Sequence, residues 1–165
     1  MSPKEKELVA VAVSVAAGCE ACTQHHVKAA RAAGACADGL RRMVELALTV
    51  RQRATQRMAA VAHEELGVAA DLPSCEGAAD LDRLAALASA AAALAANCGA
   101  GVPGFLAAAK DAGATEHEGE VALGIARQIK KVAADEAEEA SRAEGTPATP
   151  CSCAAVTRAQ AGACC

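Results

Sequence analysis

An all-α protein built from two tandem three-helix repeats is the fold that this 165-residue sequence predicts. Alanine fills 48 of the positions, and it is the residue that loses least on entering a helix. Phe105 is the sole aromatic residue, so Ala, Val and Leu must fill the core and the helices can approach closely. The sequence also repeats itself at a displacement of 79 residues: Ala16-Ala17-Gly18-Cys19 falls on Ala95-Ala96-Asn97-Cys98. Val44, Ala47, Val50 and Ala54 fall, without a gap, on Leu123, Ala126, Ile129 and Ala133, which marks an internal duplication.

The first helix, about residues 3–18, is an apolar run that ends near Cys19. The second, about 20–33, stops at Gly34, where the chain needs a residue tolerant of positive φ. A longer amphipathic helix follows over about 38–66, with Gly67 just beyond it, and closes a first repeat at 1–66. Residues 67–79, which contain Pro73, Ser74 and Gly77, read as the linker. The second repeat, 80–144, places its helices at about 80–97, 103–112 and 116–143, with Gly113 and Gly145 at the stops. Beyond it the composition turns to Thr-Pro-Ala-Thr-Pro and then to cysteine, which predicts a flexible tail over 145–165.

A net charge of −4 with scattered Lys and Arg gives no basic stripe, and the chain lacks aromatic platforms for bases, so nucleic acid is excluded as a partner. The uncharged stretch from Leu84 to Val102 is mostly Ala and Gly and contains Asn97, too little hydrophobicity for a membrane span. Lys4 and Lys6 before the apolar run Leu8 to Ala17, with Gly18-Cys19 after it, imitate a lipoprotein leader. Glu5 and Glu7 cancel those lysines, Glu20 follows at once, and the same pattern recurs in mid-chain, so a soluble protein without a membrane partner is expected. A core without aromatics makes association between copies of the chain a further expectation.

Nine cysteines cannot all pair within one chain, and their clustering suits thiol chemistry or metal binding in a reducing, cytoplasmic setting better than structural staples. The sharpest pattern is Cys19-Glu-Ala-Cys22-Thr-Gln-His25-His26. If a helix starts near Cys19, then Cys19, Cys22 and His26 share one face, because steps of three and four residues return to the same side. The first-turn N–H groups favour a thiolate and the imidazole can hold or pass its proton. The competing reading is an inert buried pair in an Ala-rich core. His25 lies one step off that face, and His63 and His117 sit among charged residues and read as surface. Cys36 and Cys75 read as incidental thiols of a turn and the linker.

Glu7 stands twelve residues before Cys19, and Glu-x11-Cys-x2-Cys-x3-His resembles the alkylhydroperoxidase AhpD-like and carboxymuconolactone decarboxylase superfamily. The resemblance covers most of residues 3–66 and, more weakly, the second half. It implies a duplicated all-helical fold that assembles as a homotrimer or a higher homo-oligomer. It also implies peroxide reduction through the CxxC pair: Cys22 as the attacking sulfur, Cys19 as its disulfide partner and proton donor, and His26 with Glu7 as the proton relay. A dithiol donor of the lipoyl or thioredoxin type would restore the pair, and no cofactor is required. The decarboxylase branch typically lacks the CxxC, which disfavours lactone decarboxylation.

At the displacement of 79 residues Glu7 meets Ala86, Cys22 meets Gly101 and His26 meets Phe105, leaving only Cys98, so the second repeat reads as a structural copy. Cys151, Cys153, Cys164 and Cys165 support an alternative function: together with the CxxC-His site they offer soft ligands to zinc, copper(I), mercury or arsenite. A thiol relay to Cys19 and Cys22, or no role at all, are the other readings of that tail. The sequence therefore predicts a thiol–disulfide oxidoreductase acting on hydroperoxides, with soft-ion binding as the alternative.

Overall fold

Every described helix but one begins on a side chain that satisfies its first free N–H groups. In the computed structural model, which describes residues 1–69, 71 and 81–142, α1 spans Pro3–Ala17. Ser2 Oγ accepts the Glu5 N–H at 3.2 Å while the Glu5 carboxylate accepts the Ser2 N–H at 2.7 Å, and Pro3 occupies the first helical position, where its missing N–H costs nothing. Thiols cap the next two helices: Cys19 opens α2 (Glu20–Ala32) and Cys36 opens α3 (Ala37–Glu65), its sulfur accepting the Gly39 N–H at 3.4 Å. Cys36, an incidental turn thiol by sequence, is thus a helix cap. Asp82 caps α4 (Arg83–Ala95) through the Ala85 N–H at 2.8 Å. No side chain caps α5 (Gly101–Asp111). Thr115 and Glu118 form a reciprocal pair at the start of α6 (Glu116–Arg142).

The described elements are all helices, in the order apolar, short, long amphipathic, twice over; no strand occurs among the described residues. The sequence-based helix limits agree to within two or three residues where the chain is described. Gly34 and Gly113 take φ of +83° and +89°, as stops require, whereas Gly145 lies outside the described residues.

Why α1 and α4 sit at the centre follows from their composition. Leu8 to Ser14 in α1 and Ala85 to Ala93 in α4 are buried without interruption, so neither helix keeps a solvent face. The two pack on each other through surfaces rich in Ala and Val. Around them the halves interlock: α3 packs on α1 and α4, and α6 packs on α4 and α1. Each half therefore lends its long helix to the other, and this is what brings α6 to the cysteines of the first half. Among the described residues no helix is long and apolar enough to cross a membrane.

The turn before Cys19 is built with care. Gly18 takes φ +76° and donates its N–H to Ser14 and Val15, while the Arg51 guanidinium of α3 donates to the Ala16 carbonyl at 3.0 Å. Seventy-nine residues on, Asn97 takes φ +60° and its side chain meets Lys130 of α6. A Cβ at Gly18 would lie 2.7 Å from Arg51 Nη1, the far end of a flexible side chain that can move aside, so the backbone sets the cost. We expect Gly18→Ala to lower unfolding stability in urea by about 1–2 kcal/mol and Gly18→Asn by less, because asparagine tolerates the left-handed region.

A charge cluster ties three helix starts together. Arg83 bonds both Glu5 and Glu118, and the Met1 ammonium lies 3.2 Å from Glu118. The Thr115 N–H first, then Met1 and Arg83, hold the Glu118 carboxyl down at about 2, and the Ser2 N–H chiefly lowers Glu5. A carboxyl lowered on folding stabilises the fold above its unfolded value and loses that contribution as pH falls through its folded value. The Glu118 contribution is thus complete above about pH 4.5 and gone near 2. Glu118→Gln should therefore shrink the drop in melting temperature on acidification through that window, read by circular dichroism.

Candidate functional site

The site forms where α2 starts against α1. Cys19 is the cap of α2 and its sulfur accepts the Cys22 N–H at 3.1 Å, which fixes the first turn. Thr23 reinforces it from both its N–H and its hydroxyl, each donating to the Cys19 carbonyl, at 3.0 and 2.8 Å. Cys19 and Cys22 are joined as a disulfide with Cα atoms 5.3 Å apart, a separation ordinary for such a bond. Both sulfurs therefore lie at the positive end of a helix, where N–H groups and the helix dipole favour a thiolate once the bond is reduced.

One turn beyond Cys22, His26 Nδ1 lies 2.8 Å from Glu7 Oε2 of α1. Ionised Glu7 can only accept, so the shared hydrogen sits on Nδ1 and Nε2 is left free to take or give a proton. The pair is partly sheltered, the two side chains being 21% and 31% exposed. His25, expected off the reactive face, is exposed, yet its ring stands edge-on to His26 at a centroid separation of 5.0 Å.

A cavity of about 650 Å³ opens beside this group. Its floor is Lys6, Glu7 and Ala10 of α1 with Cys22, His25 and His26 of α2. Its far wall belongs to α6: Val121, Ile125, Ile129 and Val132 give an apolar surface, and Gln128 and Glu136 are its polar members. Cys22 lines the cavity, whereas Cys19, 4% exposed, is not among the lining residues. A Glu136 carboxylate oxygen lies 3.9 Å from the Cys19 sulfur. Another hollow, about 470 Å³ between α4, α5 and α6, is lined by neither cysteine nor histidine.

Of the four residues singled out by spacing, Cys19 is bonded to Cys22 and His26 to Glu7, and Cys22, His26 and Glu7 line one cavity. The sequence missed the α6 wall and Glu136. Val121, Ile125, Val132 and Glu136 do share a helix face by spacing, but only the crossing of α6 over α1 says what that face covers, and Glu136 sits in an acidic run that reads as solvated. The second half, read as a structural copy, therefore also walls the site. Its own matching positions are closed: Ala86, Cys98, Gly101 and Phe105 are buried, and the Phe105 ring, 2% exposed, stands where the first half has an imidazole.

His63 and His117 are exposed, as expected of surface residues. No group of three or more His, Cys, Asp or Glu among the described residues is placed to hold a metal ion. Cys75, Cys151, Cys153, Cys164 and Cys165 lie outside the described residues.

Comparison with known proteins adds one positive finding. Residues 1–64 match the model of the Carboxymuconolactone decarboxylase family. No curated protein and no solved structure matches the chain. The matched segment runs from the cap of α1 to the last turns of α3 and contains Glu7, Cys19, Cys22 and His26; over these residues the chain is similar to the carboxymuconolactone decarboxylase family, of the AhpD-like superfamily.

Proposed function

We propose that this chain is a thiol–disulfide oxidoreductase that reduces hydroperoxides through Cys22 and Cys19. The observation that carries the reading is the cavity-lining sulfur of Cys22, bonded to Cys19 and one helical turn from the His26–Glu7 pair. In the reduced site the Cys22 proton passes to His26 Nε2, and Glu7 stabilises the imidazolium. The Cys22 thiolate takes the outer oxygen of the hydroperoxide, the O–O bond breaks, and the departing alkoxide leaves as an alcohol with the His26 proton. Cys22 is now a sulfenic acid. Cys19 attacks its sulfur, the S–O bond breaks, water leaves with the Cys19 proton, and the disulfide closes before over-oxidation.

The apolar α6 wall suits the hydrocarbon part of an organic hydroperoxide better than hydrogen peroxide. A dithiol of the lipoyl or thioredoxin type would then open the disulfide by exchange, a partner that also places the protein in a reducing compartment such as the cytoplasm. Exposed Leu48 and Met58 on α3, 53% and 57% exposed, suit the homotrimer that the resemblance implies. The test is consumption of an organic hydroperoxide by the reduced chain with dihydrolipoamide or reduced thioredoxin as donor. Multiple turnovers support the proposal; consumption no faster than the donor alone contradicts it.

A further inference from the structure

Two sulfurs at one helix start pose a question of selection. Cys19 caps α2 and Cys22 lies in its first turn, so N–H groups and the helix dipole favour both as thiolates. Left to those forces, either could meet an oxidant. Their surroundings differ, however. Cys22 lines the cavity with His26, whereas Cys19 is nearly buried and has the Glu136 carboxylate at 3.9 Å, within reach of a sulfur hydrogen bond.

We propose that Glu136, contributed by the second half of the chain, is a positioning residue that holds Cys19 as a thiol in the reduced site and so assigns the attack to Cys22. The Cys19 S–H donates to the carboxylate, and an anion so close opposes formation of a second one on the sulfur. Cys19 keeps its proton until Cys22 has been oxidised. The other charged groups around the site do not replace Glu136 in this role. Lys6 and Glu7 of α1 and His25 and His26 of α2 line the same cavity as Cys22 and Glu136, and none of them makes a hydrogen bond to the Cys19 sulfur. Glu20 is exposed at the first position of α2, and Arg51 of α3 is held on the Val15 and Ala16 carbonyls. The degenerate half thereby acquires a purpose, since Glu136 is a part of the Cys19 surroundings that the first three helices do not supply. The assignment of attack rests on the redox reading above; the control of the Cys19 proton does not.

The test reads each thiol directly. Reduced full-length chain is alkylated with iodoacetamide over a pH series, and the rate at each cysteine is followed by peptide mass mapping. Cys22→Ser is the background for Cys19, and Cys19→Ser the background for Cys22. Glu136→Gln should move the alkylation midpoint of Cys19 down by about one pH unit, equivalent to about tenfold faster labelling below the midpoint, and leave that of Cys22 in place. Glu136→Asp should restore part of the difference and Glu136→Lys should enlarge it. An unmoved Cys19 midpoint overturns the proposal, and so does an equal shift at both cysteines, which marks a general field or a disturbed fold. Hydroperoxide is not needed for this measurement, so a chain that fails to reduce peroxide refutes the peroxidase reading while the midpoints still decide the role of Glu136.

Discussion

A Cys22→Ser chain is expected to consume no hydroperoxide above the rate of the donor alone, while a chain ending at Pro150 keeps its turnover. The serine side chain is close in size to the thiol, and Cys19, which caps α2, is kept, so the chain should still fold, as circular dichroism would check. What disappears is the one cysteine that lines the cavity among the described residues, and a serine hydroxyl has no sulfur to form a sulfenic acid. Cys19→Ser should behave differently: one equivalent of hydroperoxide is consumed, sulfenic acid is trapped on Cys22, and turnover stops because no thiol captures it. Reversal of these two phenotypes would exchange the roles of the sulfurs. Loss of turnover on truncation after Pro150 would assign a relay to the cysteines beyond it.

Glu7→Gln is expected to lower kcat by about 10²-fold with little change in KM, since general acid–base groups contribute on that scale or above. The substitution keeps the shape of the 2.8 Å contact but changes its sense. A glutamine amide can turn its NH₂ toward Nδ1, which then becomes the acceptor and forces the hydrogen onto Nε2, the atom that must be empty to take the Cys22 proton. His26→Ala removes that atom and should cost at least as much. The double variant should be no worse than His26→Ala alone, because a carboxylate that acts only through an imidazole has nothing left to orient. Multiplying losses in steady-state assays would instead give Glu7 a separate contact with the substrate.

Local features were legible because their causes are local. Gly34 and Gly113 announce helix stops through the φ they permit, and both stops are where the sequence places them. The 19, 22, 26 spacing announces a shared face through the pitch of a helix, and Glu7 meets His26 because α2 packs on α1 after the turn at Gly18. What stayed hidden depends on packing between distant segments. Only the burial of α1 on all sides, including the side covered by α6, makes Val121 and Ile125 a wall of the cavity. Glu136, four residues beyond Val132, belongs to the site through that crossing and through nothing in its own neighbourhood of the sequence. Cys36 shows the same limit on a smaller scale, since a thiol as a helix cap has the composition of a turn and the geometry of a serine.

The most direct measurement is a single-turnover oxidation of the reduced, metal-stripped chain with one equivalent of an organic hydroperoxide, followed by peptide mass mapping of every cysteine. Formation of one equivalent of alcohol with loss of two hydrogens confined to the peptide that carries Cys19 and Cys22 is the predicted result. If hydroperoxide persists, or is consumed while that peptide still bears two thiols, the assignment of redox chemistry to this site is contradicted.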